Sequence, residues 1–455
     1  MKSLLAVLMV AGGCFGAASP QMPNVLFIAV DDLNHYVGFM GRNLQAKTPN
    51  IDRLAAMGTA FTRAYCTVPA CNPSRGSLMS GMRPSTTGLY LNGQNWKDYI
   101  KEGQGLNHYF RSNGYYTAAM GKIYHENTTP IDYPSGWDEY PSVPVDVNGS
   151  TEQSRVKKFE AYFEPLVHDL KDEDLGDWHT VNFAIDQLQK EHARPFFIAC
   201  GLYKPHLPFV VPRKYYDLFP VDEIELPPHR KDDLNDVPAV ANSLPSGNKD
   251  HRKMLADNRW KAAIQSYLAS CAYTDMNVGR LLDALEKSGH ADNTIIVLWG
   301  DHGWHLGEKQ KWRKFTLWEE GTRAPLIWVA PGVTQPGTLC DKPVDFLTIY
   351  PTLCDLAGLS IPEHVEGKSL MPLLLNVEAE WNEPAITTYG YMNHAIRSGP
   401  WRYIRYHDGS EELYDHSKDA YEFDNLASNP EYAPIKRELA ALLPQENLPM
   451  KKAER

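Results

Sequence analysis

Asn24-Val25-Leu26-Phe27-Ile28-Ala29-Val30-Asp31-Asp32 is the stretch whose reading decides the fold. Six apolar residues follow Asn24 without a polar interruption. A half-exposed strand would alternate, so this run predicts a strand covered on both faces, as parallel sheets require. Two carboxylates follow at once. Adjacent carboxylates repel, and setting both at the end of a buried strand is costly unless a cation neutralises them. The plainer alternative is a helix cap or turn.

Comparable runs occur at Pro195 to Leu202 (PFFIACGL), Thr294 to Trp299 (TIIVLW) and Pro325 to Ala330 (PLIWVA). Helical patterns lie between them, the clearest over Asn258 to Ser288. There Ile264, Tyr267, Leu268, Cys271, Val278, Leu281, Leu282 and Leu285 recur at helical spacing. Strands alternating with helices predict an α/β fold whose mostly parallel sheet is flanked by helices. The tail changes character near Pro384. His394 to Tyr406 (HAIRSGPWRYIRY) and Glu412 to Tyr414 read as short antiparallel strands around glycine turns, with a helix near Ala433 to Leu443. The expected division is a leader over 1–18, a large domain over 19–380, and a smaller α+β subdomain over 381–455. Asp132 to Ser154 and Leu226 to Asn248, rich in Pro, Asp, Asn, Ser and Gly, read as long surface loops.

The 455 residues carry a formal net charge of -11, so no nucleic-acid partner is expected and any attraction for an anion must be local. Met1-Lys2, the apolar run Leu4 to Val10 and the small residues Gly16-Ala17-Ala18 read as a secretory signal cut after Ala18. That run is too short to span a membrane, and no later one approaches the necessary length. The expected location is secreted or periplasmic, with lipid attachment at Cys14 as the alternative. Cys200 and Cys271 sit in apolar runs and read as buried thiols, and the lack of any CxxC pair argues against a thiolate zinc site. Trp96, Trp304, Trp312 and Trp401 suit either sugar stacking or the core. Asn127-Thr128-Thr129 and Asn148-Gly149-Ser150 are glycosylation sequons.

Two further elements carry chemistry. Asp301-His302 follows the strand Thr294 to Trp299, and ligands of open α/β sheets bind beyond the carboxyl ends of strands. With Asp31 and Asp32 this makes three hard oxygen donors, favouring Ca²⁺ or Mg²⁺, while His302 also suits a transition metal. Cys71-Asn72-Pro73-Ser74-Arg75-Gly76 is the other. Pro73 can start a helix, which would set Cys71 near a positive N-terminus. Read from the residues alone, Cys71 is either an activated cysteine beside Arg75 or a buried loop cysteine.

Cys71-x-Pro73-Ser74-Arg75 with its short helix and glycine resembles the signature of type I sulfatases. So do Asn24-Val25-Leu26 before Asp31-Asp32, Thr48-Pro49-Asn50-Ile51-Asp52, Gly121-Lys122 and Asp301-His302-Gly303. Three stretches resemble the iduronate-2-sulfatases in particular. They are Met120 to His125 (MGKIYH), Tyr203 to Phe209 (YKPHLPF) and Asp301 to Glu308 (DHGWHLGE). The C-terminal hundred residues match less clearly.

The resemblance implies an alkaline-phosphatase-like fold and a formylglycine made from Cys71 by a maturation enzyme. Its hydrate would bind Ca²⁺, or alternatively Mg²⁺, together with Asp31, Asp32, Asp301 and His302. One hydroxyl would attack sulfur, and deprotonation of the other would then expel sulfate. By the same resemblance Arg75 stabilises the hydrate, Lys122 and Lys314 clamp the sulfate, His125 is the base, and His206 protonates the leaving oxygen. The implied substrate is a sulfated oligosaccharide, a glycosaminoglycan or marine algal fragment attacked from its end. A phosphodiester or phosphonate monoester hydrolase of the same superfamily is one alternative, and a glycan-binding protein with unconverted Cys71 is another. Lys309, Lys311 and Arg313 crowd the stretch around Lys314 and read either as a funnel for a polyanion or as a solvated loop.

Overall fold

The computed structural model describes residues 22–125, 132–143, 170–245 and 248–450. The leader with Cys14, both sequons and positions 144–154 of the first loop lie outside the described residues.

The run that opens the chain is strand β1 (Asn24–Val30), buried along its whole length. Its even and odd positions enter two different cores. Leu26, Ile28 and Val30 pack with the helices Gly176–Leu188 and Trp260–Ser288, through Val181, Leu188, Ile264 and Leu268. Val25, Phe27 and Ala29 pack with Leu78 and Met79 of the helix Cys71–Ser80 and with Ile349 and Leu353 of the helix Ile349–Leu356. Burial on both sides is why the run does not alternate.

The remaining strands of the main sheet are β2 (Thr59–Phe61), β4 (Tyr116–Gly121), β5 (Phe196–Leu202), β6 (Thr294–Gly300), β9 (Leu326–Val329) and β10 (Thr338–Cys340). Between them in chain order fall the short pairs β3 (Ala64–Tyr65) with β11 (Val344–Asp345) and β7 (His305–Leu306) with β8 (Trp312–Arg313). The main sheet runs β10-β2-β9-β6-β1-β5-β4. β4, β5, β1 and β6 are mutually parallel, and β9 alone opposes both its neighbours. Register aligns the carboxyl ends: Val30 stands opposite both Leu202 and Gly300, and Gly121 opposite Gly201. The residues that follow therefore leave the sheet along a single edge.

The tail forms a four-stranded antiparallel sheet of β12 (Ala385–Thr388), β13 (His394–Ser398), β14 (Trp401–Arg405) and β15 (Glu411–Asp415), with the helix Ala433–Ala440 against it. It is stitched to the main body. Thr388 N donates to Thr67 O at 2.8 Å, and the Thr387 hydroxyl donates to Cys66 O at 2.6 Å. A buried ion-pair seam adds to this: Glu319 accepts from Arg402, lies 3.7 Å from Arg397 and 3.5 Å from Arg323, and Arg402 Nε reaches Glu422 at 2.5 Å.

Candidate active site

Four strand ends supply most of the site. Beyond β1 come Asp31 and Asp32, beyond β6 Asp301 and His302, beyond β4 Lys122, and beyond β5 the turn carrying His206. Asp32 adopts φ +58°, a left-handed conformation uncommon outside glycine, which turns the chain sharply after the strand. Its amide donates to Asp301 Oδ1 at 2.9 Å, and Tyr267 from the long helix donates its hydroxyl to Asp32 O at 2.8 Å. Gly201 permits the close approach of β4. A methyl group there would stand 2.4–2.5 Å from the backbone N, C and O of Lys122.

The helix Cys71–Ser80 supplies Cys71 and Arg75, with Pro73 in its first turn as the sequence predicts, and the segment after β8 supplies Lys314. Ser74 Oγ donates to Asp301 O at 2.5 Å. The guanidinium of Arg75, fully buried, spans two carboxylates: Nε to Asp301 Oδ2 at 3.0 Å and Nη2 to Asp31 Oδ1 at 3.4 Å. Its Nη1 donates to the carbonyls of Lys122 and Ile123. Lys122 donates to Asp31 Oδ2. Lys314 donates to Asp32 Oδ1 at 2.6 Å and to Cys71 Sγ at 2.7 Å, and Cys71 Sγ lies 3.3 Å from His302 Nε2. His302 is oriented by its own Nδ1–H, which donates to Gly303 O at 2.9 Å and turns Nε2 inward. His206 Nε2 stands 4.0 Å from Asp31 and 3.8 Å from Asp32.

His125 stands beside this cluster. Its Nδ1 is buried without a hydrogen-bond partner, and burial together with the charge of Lys122 pushes its imidazole down to about 3. It is neutral at physiological pH and a weak proton acceptor until an anion arrives. All ten side chains singled out in the sequence thus fall at one end of the sheet.

The donor set suits a divalent cation. Single ligand atoms of Asp31, Cys71, Asp301 and His302 lie within 4.8 Å of one another, as do those of Asp31, Asp32, Cys71 and His206. Asp32 Oδ2 is buried and makes no hydrogen bond within the protein. Burial and neighbouring carboxylate charge raise Asp32 to about 6 and Asp301 to about 7, against the pull of Lys314 and Arg75 respectively. Burial acts on Asp31 too, but Lys122, His206, Arg75 and Lys314 outweigh it and hold that carboxyl well below its ordinary value. A bound cation would lower both raised carboxyls and hold them ionised.

Cys71 opens a helix and is fully buried, with Lys314 and His302 in reach of its sulfur. Burial and the charge of Asp31 push its thiol far above the ordinary value, so the protein groups by themselves disfavour a thiolate. The basic stretch proves to be neither funnel nor solvated loop. Lys309 is buried and pairs with Asp233 at 3.0 Å, Lys311 is buried beside Trp318, and Arg313 pairs with Asp250 at 2.9 Å. Between 309 and 315 the backbone takes positive φ at Lys309, Gln310, Arg313 and Phe315. Such conformations persist only where surroundings enforce them. These pairs pin the contorted segment that delivers Lys314. Trp96, Trp304 and Trp312 are buried in the core, as are Cys200 and Cys271.

Known proteins resemble this chain over most of its length. The family model described as Sulfatase matches residues 23–359. The chain belongs to the sulfatase family. A second model, N-sulphoglucosamine sulphohydrolase, C-terminal, matches residues 300–448, which takes in most of the C-terminal hundred residues where the motifs match less clearly. A sulfatase of Formosa agariphila is 40% identical over 444 residues, covering 93% of this chain and 87% of that protein. Iduronate 2-sulfatase of Homo sapiens is 34% identical over 409 residues, covering 76% of this chain and 73% of that one. The solved phosphonate monoester hydrolase of Agrobacterium radiobacter superposes with a TM-score of 0.79 at 23% identity, covering 92% of this chain and 94% of that chain. A protein solved in complex with its substrate D-glucosamine-2-N,6-O-disulfate superposes with a TM-score of 0.76 at 24% identity, covering 93% of this chain and 97% of that chain, and a solved 2-O glycosaminoglycan sulfatase with 0.73 at 24%, covering 93% and 91%. These structural likenesses speak to the fold alone. The sulfatase is a sulfuric ester hydrolase, and no helix among its described residues is long and apolar enough to cross a membrane.

Proposed function

We propose that this sulfatase is exported and removes sulfate from the end of a sulfated carbohydrate, with formylglycine made from Cys71 as its nucleophile. The supporting observation is the surround of Cys71: a buried sulfur at a helix N-terminus, within hydrogen-bond reach of Lys314 and His302. The thiol is a poor nucleophile there, and conversion would put oxygen in its place. A cation held by Asp31, Asp32, Asp301 and His302, Ca²⁺ by the hardness of the donors with Mg²⁺ as the alternative, would supply Lewis-acid stabilisation.

The side chains divide the remaining work. Arg75 bridges Asp31 and Asp301 and favours the ionised form of each, since its own charge cannot be lost. Lys122 and Lys314, both buried, offset the charge of the bound sulfate. With Nδ1–H held by Leu207 O, His206 Nε2 carries a proton only in the imidazolium form, which the negative charge of a bound sulfate ester would favour; in that form it delivers the proton to the departing sugar oxygen, and His125 accepts the proton whose loss releases sulfate. Proton transfers of this kind contribute roughly 10²–10⁴-fold each. The substrate class rests on the likeness to iduronate 2-sulfatase over most of the chain and on the KPHLPF and GKIYH stretches. A 2-sulfated uronic acid of a glycosaminoglycan is the first expectation, and an algal sulfate the second. The catalytic unit is placed at 19–380 and the smaller subdomain at 381–455.

Sulfate release from defined oligosaccharides tests this, with Cys71→Ala as control and formylglycine verified by mass. Release from 2-sulfated uronate disaccharides, abolished by the substitution, is expected. Release only from algal fragments would keep the chemistry and reassign the pocket. Hydrolysis of phosphonate monoesters or phosphodiesters with no sulfate release from any carbohydrate would overturn the proposal.

A further inference from the structure

Asp177 plays no part in the chemistry above, yet it is buried and tied directly to the site. It is the second residue of the helix Gly176–Leu188, where a carboxylate would ordinarily be read as a partner for the helix dipole. Its side chain is used differently. Oδ1 accepts from the amide of Tyr203 at 2.7 Å, and Oδ2 accepts from the next amide, Lys204, at 2.8 Å. Those amides open the turn that leaves β5 and carries His206.

The same turn is gripped from other sides. Thr274, on the long helix, donates its hydroxyl to Lys204 O at 2.9 Å. The buried ammonium of Lys204 donates to Pro208 O at 2.5 Å, closing the turn on itself. Within it His206 N donates to Tyr203 O at 2.9 Å, and His206 Nδ1–H donates to Leu207 O at 2.6 Å. These bonds fix the imidazole so that Nε2 faces Asp31 and Asp32. Two adjacent amides pointing at one side chain need two acceptor oxygens. An asparagine would offer one, and its NH₂ would face an N–H.

We propose that Asp177 is a positioning residue for the leaving-group proton transfer: its carboxylate anchors the Tyr203–Pro208 turn and thereby aims His206 Nε2. This rests on the reading of His206 as the leaving-group acid. An acid misplaced by even about 1 Å loses much of its effect. The loss falls on esters whose leaving oxygen needs a proton, and spares those whose leaving group departs as a stable anion.

The test compares Asp177→Asn, His206→Ala and the double variant on two esters. One is the 2-sulfated uronate disaccharide, or the algal sulfate that the panel identifies. The other is 4-nitrophenyl sulfate, whose phenolate leaves unaided. Asp177→Asn is expected to lower kcat/KM for the sugar ester by roughly 10- to 100-fold, as fits loss of a buried charge-assisted hydrogen bond, and for the aryl ester by no more than a few-fold. In the His206→Ala background it should add almost nothing. Should His206→Ala itself cost both esters equally, the acid role fails and the proposal with it. Should His206→Ala discriminate while Asp177→Asn costs both equally, the positioning role alone is overturned. If Asp177→Asn does not fold, Thr274→Val carries the test. It removes the hydroxyl shared by Lys204 O and, within the same helix, Ser270 O, and a several-fold loss confined to the sugar ester is expected, whereas equal loss on both overturns the proposal.

Discussion

Adding a divalent cation to chelator-stripped protein should expel protons, and the site says roughly how many. Asp301 stands at about 7 and Asp32 at about 6, both raised first by burial. Asp31 is already ionised, and burial foremost keeps His302 neutral, so neither has a proton to give. At pH 6.5 the stripped site therefore holds about three quarters of a proton on Asp301 and about one quarter on Asp32, titrating as a unit. A cation bound to ionised carboxylates displaces close to one proton. At pH 8.5 both groups are ionised beforehand, and release falls to nearly nothing. Calorimetric titration with Ca²⁺ in two buffers of different ionisation heat counts those protons. A count of about one at pH 6.5 and about zero at pH 8.5 is expected. An equal count at both pH values, or none at pH 6.5, refutes the assignment of Asp32 and Asp301 as the raised ligands. The sign carries over to stability. Both folded-state values exceed those of an unfolded chain, so the stripped protein binds more protons folded than unfolded between about pH 4 and 7 and loses stability as pH rises through that window. The contribution of Asp301 alone is on the order of 4 kcal/mol, and saturating Ca²⁺ should flatten the curve.

Arg75→Met strands two buried carboxylates and should cost about 3–5 kcal/mol in denaturant unfolding, while Arg75→Lys recovers only part of that; a loss well under 1 kcal/mol would show that the guanidinium is not what holds Asp31 and Asp301. Gly201→Ala places a methyl against the Lys122 backbone, so a loss of about 1–3 kcal/mol together with lowered kcat is expected from melting and turnover measured on the same sample. Lys309→Met leaves Asp233 unpaired and should lower the melting temperature without changing the salt dependence of KM, the quantity an anion funnel would govern. Glu319→Gln unbalances Arg402 and Arg397 and should cost about 3–5 kcal/mol by chemical unfolding, with little sensitivity to added salt because the seam is buried.

Much of the site was legible because each of its parts ends a strand or starts a helix, and those boundaries are written locally. The run ending at Asp31 and the run ending at Trp299 are unmistakable, and Cys71 to Gly76 carries its own helix start. What joins them is pairing between segments up to 282 positions apart, as for Lys314 Nζ and Asp32 Oδ1; the strand-end rule brought Asp31-Asp32 and Asp301-His302 to one edge, and the family motifs brought Cys71 and Lys314 to them. Other features had no local signal. β9 runs against its neighbours although Leu326–Val329 looks like any other buried strand, since direction depends on how the chain returns. Strands of two or three residues such as β2 and β3 are too short to show a period. The lysines at 309 and 311 looked exposed because lysines usually are, and the groups that accept them, Asp233 and the C-terminal sheet, lie far away in sequence. Asp177 carries no local signal of its role, because the amides it accepts from, Tyr203 and Lys204, lie 26 and 27 positions away.

The level edge formed by the four parallel strands has a mechanical consequence. Neighbouring strands can slip only in whole residues, each worth about 3.3 Å, and a one-residue slip turns every side chain to the opposite face. With both faces of β1 buried, no intermediate alignment is available, so the row of groups from Lys122 to His302 is indexed by the sheet as a keyed shaft is indexed by its slot. Loss of turnover on heating or in denaturant should then superimpose on the unfolding of the sheet itself, with no range in which the sheet persists and the enzyme merely slows.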